Sequence, residues 1–170
     1  MQIKYIGPSN LQSLGGHARG GPPMSVTGLD TFDITVQETN HWLKIMMGEL
    51  GTDDRRIAFN ALRAALHALR DRVGLENAVH LGAQLPMLLR GAYYEGWRPA
   101  GTPTRERRLA DFIDHVAEQL PARTTINPGE AARACFVVME CCLDRGELVK
   151  LRGSLPHEVL NLFPDSLVRK

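Results

Sequence analysis

Three groups of residues have the types and spacing to do chemistry. The first is metal or redox chemistry. Glu38 and His41 form an E-x-x-H, which puts two ligands on one face of a helix, and Glu76/His80 and Asp111/His115 stand four apart. A di-iron carboxylate bundle needs a second E-x-x-H and two further glutamates, and the chain has no second motif. Cys135, Cys141 and Cys142 are odd in number and contain no C-x-x-C. They read as reduced thiols on or near the apolar face of one helix in a cytoplasmic protein. No metal and no cofactor is expected.

The second group is cationic. Arg56, Asn60, Arg63, His67 and Arg70 follow spacings of four, three, four and three, so they share a helical face that Arg55, Arg72, Arg105, Arg107 and Arg108 widen. Arg56, Arg63, His67 and Arg70 are the candidate anion-binding face. The plain alternative is the polar side of an amphipathic helix balanced by Asp53, Asp54 and Asp71. The third group is Arg90, Tyr93, Tyr94, Trp97 and Arg98, which gathers two of the three tyrosines and one of the two tryptophans. Tyr, Trp and Arg dominate binding hot spots, so these five are the candidate partner- or ligand-binding residues. The competing reading is aromatic glue for a linker.

Hydrolase and nucleotide motifs are missing. There is no G-x-S-x-G, and the Gly15–Gly20 run lacks the Lys-Ser/Thr pair of a phosphate loop. Twenty Lys plus Arg against nineteen Asp plus Glu leave a formal charge of +1 over 170 residues. Nucleic acid is therefore disfavoured as a partner. No apolar run approaches the ~20 residues of a membrane span.

The elements that must position these groups are helices. From Leu29 the apolar spacing is helical, with no sustained alternation. Phe32, Val36, Leu43, Met46 and Leu50 mark one face of a long helix ending at Gly51. Thr52 is the expected cap of a second, which carries Ile57, Ala61, Leu62, Ala65, Leu66 and Leu69 up to Gly74. Residues 75–85 read as a shorter helix, and Pro86 opens another to about Tyr94. After a 95–103 loop, Thr104 is the expected cap of a helix bearing Leu109, Phe112, Ile113, Val116 and Leu120. Asn127-Pro128 starts the next, to about Arg145, and two short helices split near Pro156 finish the chain.

The second half echoes the first. At a spacing of 70, Trp42-Leu43 falls on Phe112-Ile113, Met46 on Val116, Leu50 on Leu120 and Leu85-Pro86 on Leu155-Pro156. Between them the spacing is 73, where Ala61 meets Ala134, Ala65 meets Val138 and Asp71-Arg72 meets Asp144-Arg145. The expected fold is all-α: two tandem copies of a four-helix repeat (long, long, short, short) packed as one helical bundle. Residues 1–23, rich in Gly and Pro, are expected to be a flexible extension or a misassigned start. Residues 24–103 form the first repeat plus linker, and 104–170 the second.

The runs TGLDTFDITVQETNHWL, ALRAALHALRDR, HLGAQLPMLLRGAYYEGW and SLPHEVLNLFP resemble an uncharacterised bacterial family, domain of unknown function 2267, over about Ser25 to Pro164. The resemblance implies an all-helical cytoplasmic protein and supplies no catalytic residues. The leading expectation is a non-catalytic protein-interaction or adaptor module presenting the Tyr93–Arg98 segment and, second to it, the Arg56–Arg70 face. The alternative is a sensor or enzyme binding a small anionic ligand between the repeats through Arg90, Tyr93 or Tyr94. The first predicts exposed aromatics there, the second a polar cavity on which Arg and Tyr converge.

Overall fold

The computed structural model describes residues 27–104 and 107–164, and these are helical with no strand among them. Four helices precede the linker: α1 (Asp30–Leu50), α2 (Arg55–Arg72), α3 (Leu75–Gln84) and α4 (Met87–Tyr94). Four follow it: α5 (Leu109–Gln119), α6 (Pro128–Cys142), α7 (Arg145–Ser154) and α8 (His157–Leu160). The expectation for residues 1–23 lies outside the described residues.

The helix α2 is the axis of the bundle, packing against α1, α4, α5 and α6. Its composition allows this. Ala58, Ala61, Ala64, Ala65 and Ala68 are all buried, and their small side chains let four neighbours come close from several sides. Helix α1 lies on α2 and α6, α5 lies on α6 and α2, and α3 meets α7. One core runs through the described residues, from Trp42 and Met46 through Leu62 and Leu66 to Phe112, Phe136 and Met139.

Two caps differ from the sequence expectation. Helix α2 is capped by Asp54, whose Oδ1 accepts from the amides of Arg56 at 2.8 Å and Ile57 at 3.3 Å. Thr52 holds the turn before it, accepting from the Asp54 amide at 3.2 Å. A carboxylate at the positive helix end gains charge as well as a hydrogen bond, so the aspartate takes the cap position. Thr104 does not open α5 either. Its amide donates to Asp71 O at 2.9 Å and its hydroxyl accepts from Arg72 Nη1 at 3.4 Å, which pins the linker to the end of α2. Helix α5 starts five residues later, with Arg108 at its cap position and Asp111 bonded back to the Arg108 amide.

Helix α6 does begin at Asn127, whose side chain accepts from Gly129 and Glu130. It ends at Cys142, and Asp144 caps α7. Helix α1 carries a further correction. Trp42, Leu43 and Met46 are buried as the spacing implies, but Phe32 and Val36 are exposed, and of the first two turns only Thr35, which meets α4, is buried.

Candidate functional site

Helix geometry leaves the last carbonyls of every helix without an intrahelical partner. At α3 and α4 those carbonyls meet the cationic side chains that the sequence marks as an anion site. Arg90 donates from Nε to Gly82 O at 2.9 Å and from Nη2 to Ala83 O at 3.0 Å and Leu85 O at 3.1 Å, closing the end of α3. Arg70 and His67 close the end of α4. Arg70 Nη1 donates to Tyr93 O and, at 3.3 Å, to Glu95 O, while its Nε and Nη2 pair with the Asp71 carboxylate at 2.8 and 3.1 Å. His67 Nε2 lies 2.7 Å from Ala92 O and therefore carries the proton. Its Nδ1 lies 3.4 Å from Gln119 Oε1. Cations at helix C-termini satisfy orphan acceptors and complement the helix dipole at once.

The His67–Arg70 end of the expected basic stripe is thus not a solvated face. Arg70 and His67 are 4% and 5% exposed, because α4 and the turn after it lie over this side of α2. Arg56 at the far end is open to solvent and lies 3.9 Å from Asp54. Arg63, between them, pairs with Glu95 at 3.2 Å.

The aromatic segment packs inward. Tyr93 is buried and donates from its hydroxyl to Ala78 O at 2.9 Å. Burial foremost, and then neighbouring Tyr94, raise its phenol far above the ordinary tyrosine range, so it stays neutral. Tyr94 meets Tyr93 edge-on at 4.9 Å, stacks on Trp97 at 5.4 Å, and reaches Val79 O at 3.4 Å. Gly82 makes room for it: a Cβ there would run into the Tyr94 hydroxyl and ring. The Arg70 guanidinium lies 5.9 and 5.8 Å from the Tyr93 and Trp97 ring centres. Arg98 is exposed. Of the five residues singled out, four hold α4 against α2 and α3, and the exposed aromatics expected of an adaptor surface are not at this place.

Nor do Arg90, Tyr93 and Tyr94 line a cavity. A narrow cleft of about 20 Å³ lies between α3 and α7, bounded by Asn77, His80, Leu81, Leu143, Glu147, Lys150 and Leu151. That is room for roughly one water.

The remaining titratable groups behave as structure. His80 lies 3.7 Å from Glu76, the simple pair expected for that spacing, whereas His115 faces Glu118 at 4.0 Å and Asp111 turns to Arg108. Arg108 holds the Asp111 carboxyl below the usual carboxylate range. Burial pushes the Cys135 and Cys142 thiols up to about 12, and burial raises Cys141 as well. Raised thiols are poor nucleophiles. Among the described residues no three His, Cys, Asp or Glu side chains converge to hold a metal ion, and no helix is long and apolar enough to cross a membrane.

What sequence reasoning missed is the apolar surface at the start of α1. Leu29, Phe32, Ile34 and Val36 are exposed, as are Met87 and Leu88 of α4. The Leu88 amide donates to Thr35 Oγ1 at 3.3 Å, which sets the first turn of α4 beside the first half of α1. The available signal was length. At the 70-residue spacing, Leu109 at the start of α5 corresponds to Thr39, so α1 has nine residues with no equivalent in α5.

No curated protein matches the sequence. A family model described as an uncharacterized conserved protein, DUF2267, matches residues 39–162. The helical fold and that match, which begins where the projecting part of α1 ends, place the chain in the DUF2267 family.

Proposed function

We propose that the protein is a non-catalytic interaction module whose contact surface is the first half of α1 together with the first turn of α4. The observation that carries this reading is the exposure of Leu29, Phe32, Val36, Met87 and Leu88. A monomer exposes scattered apolar side chains freely, but several gathered on one projecting helix mark a contact surface. Asp30, Asp33 and Glu38 edge this stretch, and no basic residue of α1 precedes His41. The occupant that fits is an amphipathic helix of a partner protein with lysine or arginine beside its apolar stripe.

The test is fluorescence anisotropy with a labelled helical Leu/Lys peptide and its Leu/Glu counterpart. Saturable binding of the first, lost in Phe32→Asp/Val36→Asp, supports the reading. The double substitution is expected to change folding stability by no more than about 0.5 kcal/mol, because both side chains are already exposed. Equal binding of both peptides, or binding untouched by the double substitution, would sink it. Concentration-dependent self-association abolished by the same substitutions would instead assign the surface to a second copy.

The two halves we read as a tandem duplication. Supporting it, α1 touches α2 and α6 while α5 touches α6 and α2, and the like pairs α2–α6 and α3–α7 meet. Leu89 and Tyr93 of α4 are buried, as are their counterparts Val159 and Phe163. A cytoplasmic setting fits the three free cysteines.

A further inference from the structure

We propose that the partner on this surface is a second copy of the chain, its α1 lying antiparallel to the first about a twofold axis beside Val36 and Gln37. The proposal rests on the reading of the α1 surface given above. The helix that surface calls for, apolar with lysine or arginine beside the stripe, is present in the chain as α1 itself. Asp33, Gln37, Asn40 and Lys44 stand four, three and four apart, so they form a polar stripe running beside Leu29, Phe32 and Val36. Gln37 and Lys44 are exposed, and Asp33 and Asn40 half-buried. At the far end α2 adds a second cation, the exposed Arg55, which donates from Nη1 to Asn40 Oδ1 at 2.9 Å. The surface is thus acidic at Asp30 and Asp33, uncharged at Gln37, and basic at Lys44 and Arg55.

The order of these charges selects the partner. Asp30 and Lys44 are fourteen residues apart. That is about 20 Å along a helix, beyond the screening length of about 8 Å at physiological salt, so the two ends of one helix do not neutralise each other. A matching helix must be basic opposite Asp30 and Asp33, acidic opposite Lys44 and Arg55, and apolar between. A second α1 meets all three requirements when a twofold axis reverses its direction. Asp30 and Asp33 of each copy then face Lys44 and Arg55 of the other, while the two Val36 side chains meet near the axis. A parallel pairing would set like charges together, which opposes association. An isologous contact uses the same patch on both copies, so the assembly closes at two.

Sedimentation of the full chain over a concentration series tests this, with two charge-reversed variants, Asp30→Lys/Asp33→Lys and Lys44→Glu/Arg55→Glu. The unaltered chain is expected to dimerise, and each variant alone to dissociate about tenfold more readily. An equimolar mixture of the two variants should recover the dimer, because their reversed charges again face opposites. Phe32→Asp/Val36→Asp should leave only monomer. Asp33 also accepts from the Thr27 amide and hydroxyl at 3.1 and 2.9 Å. Should circular dichroism show that its loss disturbs α1, Asp30→Lys mixed with Lys44→Glu makes the same comparison. A mixture that associates no better than its components, or a dimer that both reversals leave intact, overturns the pairing. A chain that stays monomeric while the labelled Leu/Lys peptide binds saturably overturns the second copy and leaves the contact-surface reading standing. A dimer that survives Phe32→Asp/Val36→Asp, with no peptide bound, overturns both.

Discussion

Gly82 and Tyr94 show how a single atom decides what a side chain is for. The sequence presents Tyr94 as a candidate contact residue, and its type is right for one. Its ring instead lies against the glycine, sandwiched toward Trp97, with its hydroxyl on Val79 O. Gly82→Ala is expected to push the ring out and destabilise the protein by about 1–2 kcal/mol, the usual scale of overpacking offset by alanine's better helix propensity. The check is urea unfolding of Gly82→Ala in the native and Tyr94→Ala backgrounds. If the penalty persists without the ring, the close approach is not its cause. The same logic governs Arg70, Arg90 and His67. Their charge and spacing are legible in the sequence, but the acceptors they meet are backbone carbonyls, which carry no sequence signature.

At the level of elements, helix identity followed from the 3.6-residue spacing, while two starts moved. The expected cap of α2, Thr52, and the observed one, Asp54, sit in one short run, Thr52-Asp53-Asp54, where both residue types suit a cap. Asp54→Ala is expected to cost about 1 kcal/mol by removing the two amide contacts, and Thr52→Ala only a few tenths. Thermal unfolding of the two variants decides this, and a larger loss at Thr52 would contradict the assigned cap. Helix α1 makes the complementary point. Phe32 and Val36 keep the apolar spacing of Leu43 and Met46, yet within the first two turns only Thr35, under α4, is buried. Periodicity reports which face is apolar, not how far along the helix that face is covered.

For the whole molecule the controlling feature is that α2 packs on α5 and α6 as well as on α1 and α4, so neither half buries its own core. A fragment of residues 27–104 exposes the α2 surface that α5 and α6 cover and is expected to lack stable helicity by far-UV circular dichroism. A folded, cooperatively melting fragment would show that the halves are independent. The all-helical class, the placement of most helices and the family membership were determined by the sequence alone, because apolar spacing, caps and turn residues act locally. Tertiary structure decided which side of each helix is covered. It turned His67 and Arg70 of the α2 stripe into helix-end caps under α4, took Tyr93 into the core, and left Phe32 and Val36 at the start of α1 exposed. The physical reason is that burial belongs to pairs of surfaces, and the partner of α2's polar side is a row of peptide carbonyls placed there only when α4 folds back across it.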